Sequence, residues 1–133
     1  MQAKYFFIIP QKACIRKGNK FLIVKRSLDE DPYPGYWDFP GGKLEKGESA
    51  EKGLHREVFE ETQLHVNVKK PIFCYTEVLK EKNLLFIVYD CSIKNGKIKL
   101  SSEHSEYQWA TRKEILQLKA EPYMKAFFRI QKN

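Results

Sequence analysis

Short apolar runs rich in β-branched and aromatic residues dominate this chain, separated by turn-forming clusters and by stretches with helical spacing. Tyr5 to Ile9 reads as a first strand. Ala13 to Arg16 and Phe21 to Lys25 flank Lys17-Gly18-Asn19-Lys20, so they are predicted to form a hairpin. Leu28 to Tyr36, rich in Asp, Pro and Gly, is predicted to be an irregular loop able to close over a site. A helix begins near Ala50, with Leu54 and Val58 facing inward, Ser49 as its N-cap and Glu51 complementing its positive end. His65 to Lys80 and Leu84 to Ile93 are two β-rich runs that pair antiparallel across Glu81-Lys82-Asn83. Asn95-Gly96 is a hairpin signal leading into a strand from Ile98 to Leu100. A polar loop, Ser101 to Glu106, precedes a further strand from Tyr107 to Ala110. Thr111 with Glu114 fits a capping box for a short helix, Arg112 to Leu118. Pro122 opens a last helix whose Tyr123, Ala126, Phe127 and Ile130 are predicted to be core. Strands, a helix, more strands and then helices give an α/β class.

The length of 133 residues suits one domain spanning 1–133, with no linker or repeat to divide it. No apolar run approaches the roughly 20 residues that span a bilayer, and Tyr5 to Ile9 is too short for a signal-peptide core. A cytoplasmic protein is expected, without membrane partners. Cys14, Cys74 and Cys91 are odd in number, lack paired spacing and fall in strand-like runs, which predicts buried reduced thiols. His55, His65 and His104 form no metal-ligand spacing. A net charge of +7 attracts polyanions, and nucleotides and nucleic acids both fit. The basic residues are scattered, so charge alone chooses no partner. The pattern allows a monomer or a homodimer.

The chemistry concentrates at the end of the first helix, where Arg56, Glu57, Glu60 and Glu61 stand together. At about 100° per residue, Glu57 and Glu61 project within roughly 40° of Ala50 and Leu54, toward the buried face. Like charges at helical spacing repel, and anions near a helix C-terminus oppose its dipole. Arg56 lies about 100° around from Glu57 and is not expected to neutralise the whole cluster. A hard divalent cation would, because carboxylate oxygens are the ligands that Mg²⁺ prefers, with Mn²⁺ as a substitute. A solvated charged helix end is the competing explanation. Gly41-Gly42-Lys43 has neither the spacing nor the hydroxyl residue of a Walker loop, which excludes a P-loop NTPase.

Gly42, Glu48, Arg56, Glu57, Val58, Glu60, Glu61 and Leu64 fall at the spacings of the Nudix box, and the stretch resembles that motif at every fixed position except Gln63, where the family has glycine. Trp37-Asp38-Phe39-Pro40-Gly41-Gly42 is similar to the MutT-like branch. A glycine there supplies a left-handed helix end; glutamine either extends the helix or absorbs strain on the order of 1 kcal/mol.

The resemblance implies an α/β/α sandwich with a mixed sheet. It also implies Mg²⁺-dependent hydrolysis of a nucleoside diphosphate linked to another group, a triphosphate giving monophosphate and pyrophosphate. Glu57, Glu60 and Glu61 would hold the cation with the Gly41 carbonyl, and Arg56 would orient the glutamates. Gly42 and Glu48 would support the loop, and Arg26 would contact substrate phosphate. Glu103, with Glu106 as competitor, would add a ligand. The base is unassigned between Glu57, favoured, and a loop glutamate. An oxidised purine triphosphate is suggested by the branch, but Ala120 stands before Glu121-Pro122 where its sanitising members carry asparagine. ADP-ribose, dinucleoside polyphosphates and RNA 5′ ends stay open, as does a module that binds nucleotide or RNA without turnover.

Overall fold

The computed structural model describes residues 6–130; Tyr5, where the first predicted strand begins, lies outside them. In chain order the elements are β1 (Phe7–Ile8), β2 (Pro10–Lys17), β3 (Lys20–Arg26), β4 (Trp37–Asp38), β5 (Gly41–Lys43) and α1 (Ala50–Thr62). They continue as β6 (His65–Leu79), β7 (Lys82–Asn95), β8 (His104–Thr111), α2 (Arg112–Gln117) and α3 (Pro122–Ile130). The sheet is mixed, in the order β1-β7-β2-β3-β4, with β5 joined to β2, β6 to β7 and β8 to β3. Strands β1 and β2 both run parallel to β7.

Period-two alternation sorts each strand onto two cores. Ala13, Ile15, Leu22 and Cys91 pack with Leu54 and Val58 of α1. Cys14, Phe21, Ile23, Phe86 and Val88 pack on the opposite face with Ile115 of α2 and with Tyr123, Met124, Phe127 and Phe128 of α3. The sheet therefore lies between helices, the α/β/α sandwich expected. No helix among the described residues is long and apolar enough to cross a membrane.

Local chemistry places α1. Ser49 accepts from the Lys52 amide, and Gln63 ends the helix at φ 66° with its amide on the Phe59 carbonyl. Gln63 thus takes the left-handed cap itself, and the helix is not extended. The hairpin at Gly18, φ 63°, pairs Arg16 with Phe21 as expected, and the capping box of α2 is formed by Thr111 and Glu114.

Five expectations need correction. The β6–β7 turn is centred on Lys80 and Glu81, both at positive φ, and Lys82 and Asn83 already belong to β7. Ile98 to Leu100 is not a strand: the Lys99 amide bonds the Thr62 carbonyl and the Ser101 amide that of Glu61. The segment satisfies the carbonyls left open at the end of α1, which a turn signal does not reveal. In α3, Ala126 is half-buried and Ile130 exposed, while Met124 and Phe128 join the core, because the helix packs on a face rotated from the one predicted. Cys74 is exposed on β6, unlike the buried Cys14 and Cys91. The polar loop is also shorter than predicted, since β8 already begins at His104.

Candidate active site

A cavity of about 460 Å³ opens between the glycine loop, the end of α1, the loop after β3 and the β6–β7 turn. The predicted residues Arg26, Gly41, Gly42, Glu57, Glu61 and Glu103 all line it. Glu60 does not: it is exposed and pairs with Arg56 at 3.2 Å. Glu106 is exposed and sits 3.6 Å from Lys25, away from the cavity, so the loop glutamate that faces it is Glu103.

The glycines are required by packing. A Cβ on Gly41 would lie 2.0 Å from the Gln11 carbonyl oxygen, at a φ of 149° that side chains avoid. A Cβ on Gly42 would lie 2.3 Å from the Glu57 carboxylate. The two positions fail differently when filled. Gly42→Ala should push the Glu57 side chain aside and lower activity by about 10²-fold, with little change in melting temperature, because the displaced group is the end of a flexible chain. Steady-state kinetics beside a thermal melt would check this; parent-like turnover would mean that Glu57 need not sit against the loop.

Arg56 does more than its helical angle suggested, since its long side chain folds back over the turn. Its Nε and Nη2 grip the two oxygens of Glu48 at 2.7 and 3.1 Å, and its Nη1 reaches Glu57 at 3.1 Å and Glu60 at 3.2 Å. A planar fork can hold one carboxylate with two bonds and still serve its neighbours. Arg56 thereby fixes Oε1 of Glu57 and leaves Oε2 beside Gly42. Glu48 is the residue that orients Arg56. Burial pushes the Glu57 carboxyl upward, and the charges of Glu60 and Glu103 add to that, while Arg56 opposes it.

Glu61 is buried, and its Oε1 accepts from the Gly41 amide at 3.0 Å. Desolvation raises its pKa well above the carboxylate range, offset by the Lys12 charge and by that hydrogen bond. Among the described residues no three His, Cys, Asp or Glu side chains close into a ready metal cage. The donors nevertheless fit a hard cation: the Glu103 charge pushes the carboxyls of both Glu57 and Glu61 upward, and every candidate ligand is an oxygen. Mg²⁺ keeps several waters and takes one or two carboxylates with substrate phosphates, so a preformed cage is not needed.

Sequence reasoning missed a second charged group in the cavity. Lys12 is buried and its Nζ lies 2.9 Å from Asp38, which also bonds the Tyr123 hydroxyl. Glu121 is pushed far above its ordinary pKa by burial and by the charge of Asp38 beside it. Arg26 completes the group: its Nε donates to the Pro32 carbonyl at 2.9 Å, while Nη1 and Nη2 stand 3.7 Å from Asp38 and 4.0 Å from Glu30. The last two separations exceed hydrogen-bond length. The signal was Asp38 between Trp37 and Phe39, since a carboxylate set among buried aromatics must be paired.

A family model for the NUDIX domain matches residues 12–129. The chain belongs to the Nudix family. It is 31% identical over 109 residues to a MutT-like protein of Streptomyces ambofaciens, a match covering 82% of this chain and 66% of that relative, just under two thirds. It is 26% identical over 113 residues to the nucleoside triphosphatase NudI of an Enterobacter strain, covering 76% of this chain and 79% of the relative. The crystal structure of a MutT protein from Methanosarcina mazei superposes with a TM-score of 0.86 at 34% identity, over 96% of this Nudix chain and 94% of that one. The protein is a Nudix hydrolase of the MutT-like branch. Nudix hydrolases generally use divalent metal ions.

Proposed function

We propose that this Nudix hydrolase acts as a single domain, as a monomer or a homodimer, converting nucleoside triphosphates to monophosphate and pyrophosphate with Mg²⁺. The observation that carries the reading is the shared cavity, where Glu57, Glu61 and Glu103 face the same space as Arg26, Lys43 and Lys82. Carboxylates for a cation and basic side chains for phosphates are both needed for an anhydride, and neither alone would suffice. The name of the NudI relative, a nucleoside triphosphatase, favours the triphosphate over other linked diphosphates.

Glu57, Glu61, Glu103 and the Gly41 carbonyl would hold the cation, with Glu60 turning in from Arg56 as a further ligand. Bound there, it would neutralise charge on the phosphate oxygens and lower the pKa of an attached water. Glu57 takes the proton from the attacking water on Oε2, the oxygen that Arg56 leaves open. Burial has already raised its basicity toward that task. Arg26 offers its two terminal nitrogens to a phosphate, fixed in direction by the bond to Pro32. Ala120 supplies no polar side chain ahead of Glu121, so an oxidised-guanine preference has no support at that position.

Release of pyrophosphate or phosphate tests the reading on a panel of nucleoside triphosphates, an oxidised purine triphosphate, ADP-ribose, a dinucleoside polyphosphate and triphosphorylated RNA. Turnover is expected on the triphosphates with Mg²⁺. A preference for ADP-ribose, the dinucleotide or RNA ends would replace the substrate assignment. Nucleotide binding without turnover anywhere on the panel would make the protein a binding module.

A further inference from the structure

Two elements of the cavity wall, far apart in sequence, are tied to each other. The loop 27–36 contributes Glu30, Asp31 and Pro32, and the β6–β7 hairpin contributes Leu79, Lys80 and Lys82. Lys80 Nζ meets both oxygens of Asp31, at 3.1 and 2.9 Å. The Tyr33 hydroxyl donates to Glu77 Oε2 on the adjoining strand. These contacts join residues 49 and 44 positions apart.

The two sides differ in stiffness. Lys80 and Glu81, at φ 51° and 66°, form a tight two-residue turn locked between the paired Leu79 and Lys82. The loop has no strand or helix, and it is anchored at its ends by bonds from Gly35 to Arg26, Arg26 to Tyr36 and Ser27 to Glu103. Tyr33 is held at φ 60°, a conformation that a tyrosine leaves when nothing holds it. Its hydroxyl bond to Glu77, its ring against Tyr36 at 5.0 Å and the Tyr36 amide on its carbonyl hold it.

The closure is balanced rather than locked. The Asp31–Lys80 pair is exposed and therefore weak and screened by salt. Glu77 Oε1 is buried with no hydrogen-bond partner among the described residues, so opening would hydrate an oxygen that closure strands. The strained backbone and the stranded oxygen favour opening; the two clasp contacts to the hairpin oppose it, together with the bond from Arg26 Nε to the Pro32 carbonyl at 2.9 Å.

We propose that loop 27–36 is the movable wall of the substrate cavity, and that Tyr33–Glu77 with Asp31–Lys80 is its clasp, setting the size of the group accepted beside the pyrophosphate. The identity of that group rests on the triphosphate reading above. Closed, the loop bounds a cavity of about 460 Å³ whose apolar residues include Ile8, Leu79, Leu84 and Phe86. That lining suits one nucleoside. Open, the same wall admits a bulkier group.

Hydrogen exchange without substrate reads the clasp directly, followed on the hydrogen-bonded amides of Glu30 and Tyr36, whose partners lie within the loop. In a Tyr33→Phe, Lys80→Met variant these amides should exchange about tenfold faster, with the β6 and β7 amides unchanged. Lys80→Arg alone should behave as the parent. The same double variant should lose about tenfold of its kcat/KM preference for a nucleoside triphosphate over a bulkier nucleoside diphosphate sugar or dinucleotide. Unchanged exchange in the loop would overturn the clasp, and faster exchange with an unchanged preference would overturn its size-setting role. A parent inactive on every nucleotide would instead remove the triphosphate reading, and exchange would still decide whether the loop is clasped.

Discussion

Glu57→Gln is expected to lower kcat by about 10²–10⁴-fold and to leave the melting temperature of the metal-free protein close to that of the parent. Glutamine keeps the shape of the side chain and an oxygen that can accept from Arg56, now 3.1 Å from Glu57 Oε1. It cannot take a proton, and it is a poor ligand for a hard cation. Fold stability should not suffer, because burial already disfavours the ionised carboxylate and the neutral amide avoids that cost. Mg²⁺ supplies the second readout: a ligand of the folded state raises the melting temperature with its concentration, so the parent should gain and the variant gain less. A variant that melts early would show that the lost activity reports misfolding. A variant that folds normally and turns over like the parent would remove Glu57 as the base and pass the role to Glu103, an exposed glutamate at the cavity wall that no ion pair engages among the described residues, whereas the exposed Glu45 is paired with Arg56.

The sequence was most informative where the controlling interactions are local. Ser49, Thr111 and Glu114 cap helices through amides within three residues, so their signals survive without the rest of the fold. The two-faced sheet was equally legible, since alternation along β2, β3 and β7 is a property of the strand itself. The turn at Lys80–Glu81 was misplaced by about one residue because neither residue has the usual preference for positive φ. Ile98 to Leu100 was misread because its partners are the carbonyls of Glu61 and Thr62, far back in the chain. The cavity divides in the same way. Glu57, Glu60 and Glu61 share one helix, and Gly41 and Gly42 share the short strand β5; spacing and resemblance found them. Lys12, Asp38 and Glu121 come from three separate segments, and only the sheet brings them together. The clasp is less legible still, for Tyr33 and Glu77 show no pattern that links them.

Lys12→Met should destabilise the protein by about 3–5 kcal/mol at neutral pH, the cost of stranding a buried charge after its partner is removed. The side chains of Lys12 and Asp38 are 7% and 2% exposed, and the ammonium stands 2.9 Å from the carboxylate. Burial alone would lower the Lys12 pKa, yet the charges of Asp38, Glu121 and Glu61 lift it above its ordinary value. The same pairing holds the Asp38 carboxyl below its ordinary value against desolvation. An acid whose folded pKa is depressed stabilises above its unfolded pKa and loses that contribution as pH falls through the folded one. Methionine removes the partner, so Asp38 loses the contribution at neutral pH, and Glu61 and Glu121, already raised by burial, are driven further upward. All three can then be relieved by protonation. The deficit should therefore be largest near neutral pH and shrink toward pH 4, as seen in urea melts of parent and variant across that range; it should shrink again above the ordinary lysine pKa, where the raised Lys12 loses its own contribution. A Lys12→Met, Asp38→Leu pair should recover part of the loss, though not all of it, because Asp38 also receives the Tyr123 hydroxyl. A deficit of constant size at every pH would mean that Lys12 contributes through the packing of its stem, and that the charges around the cavity are balanced without it.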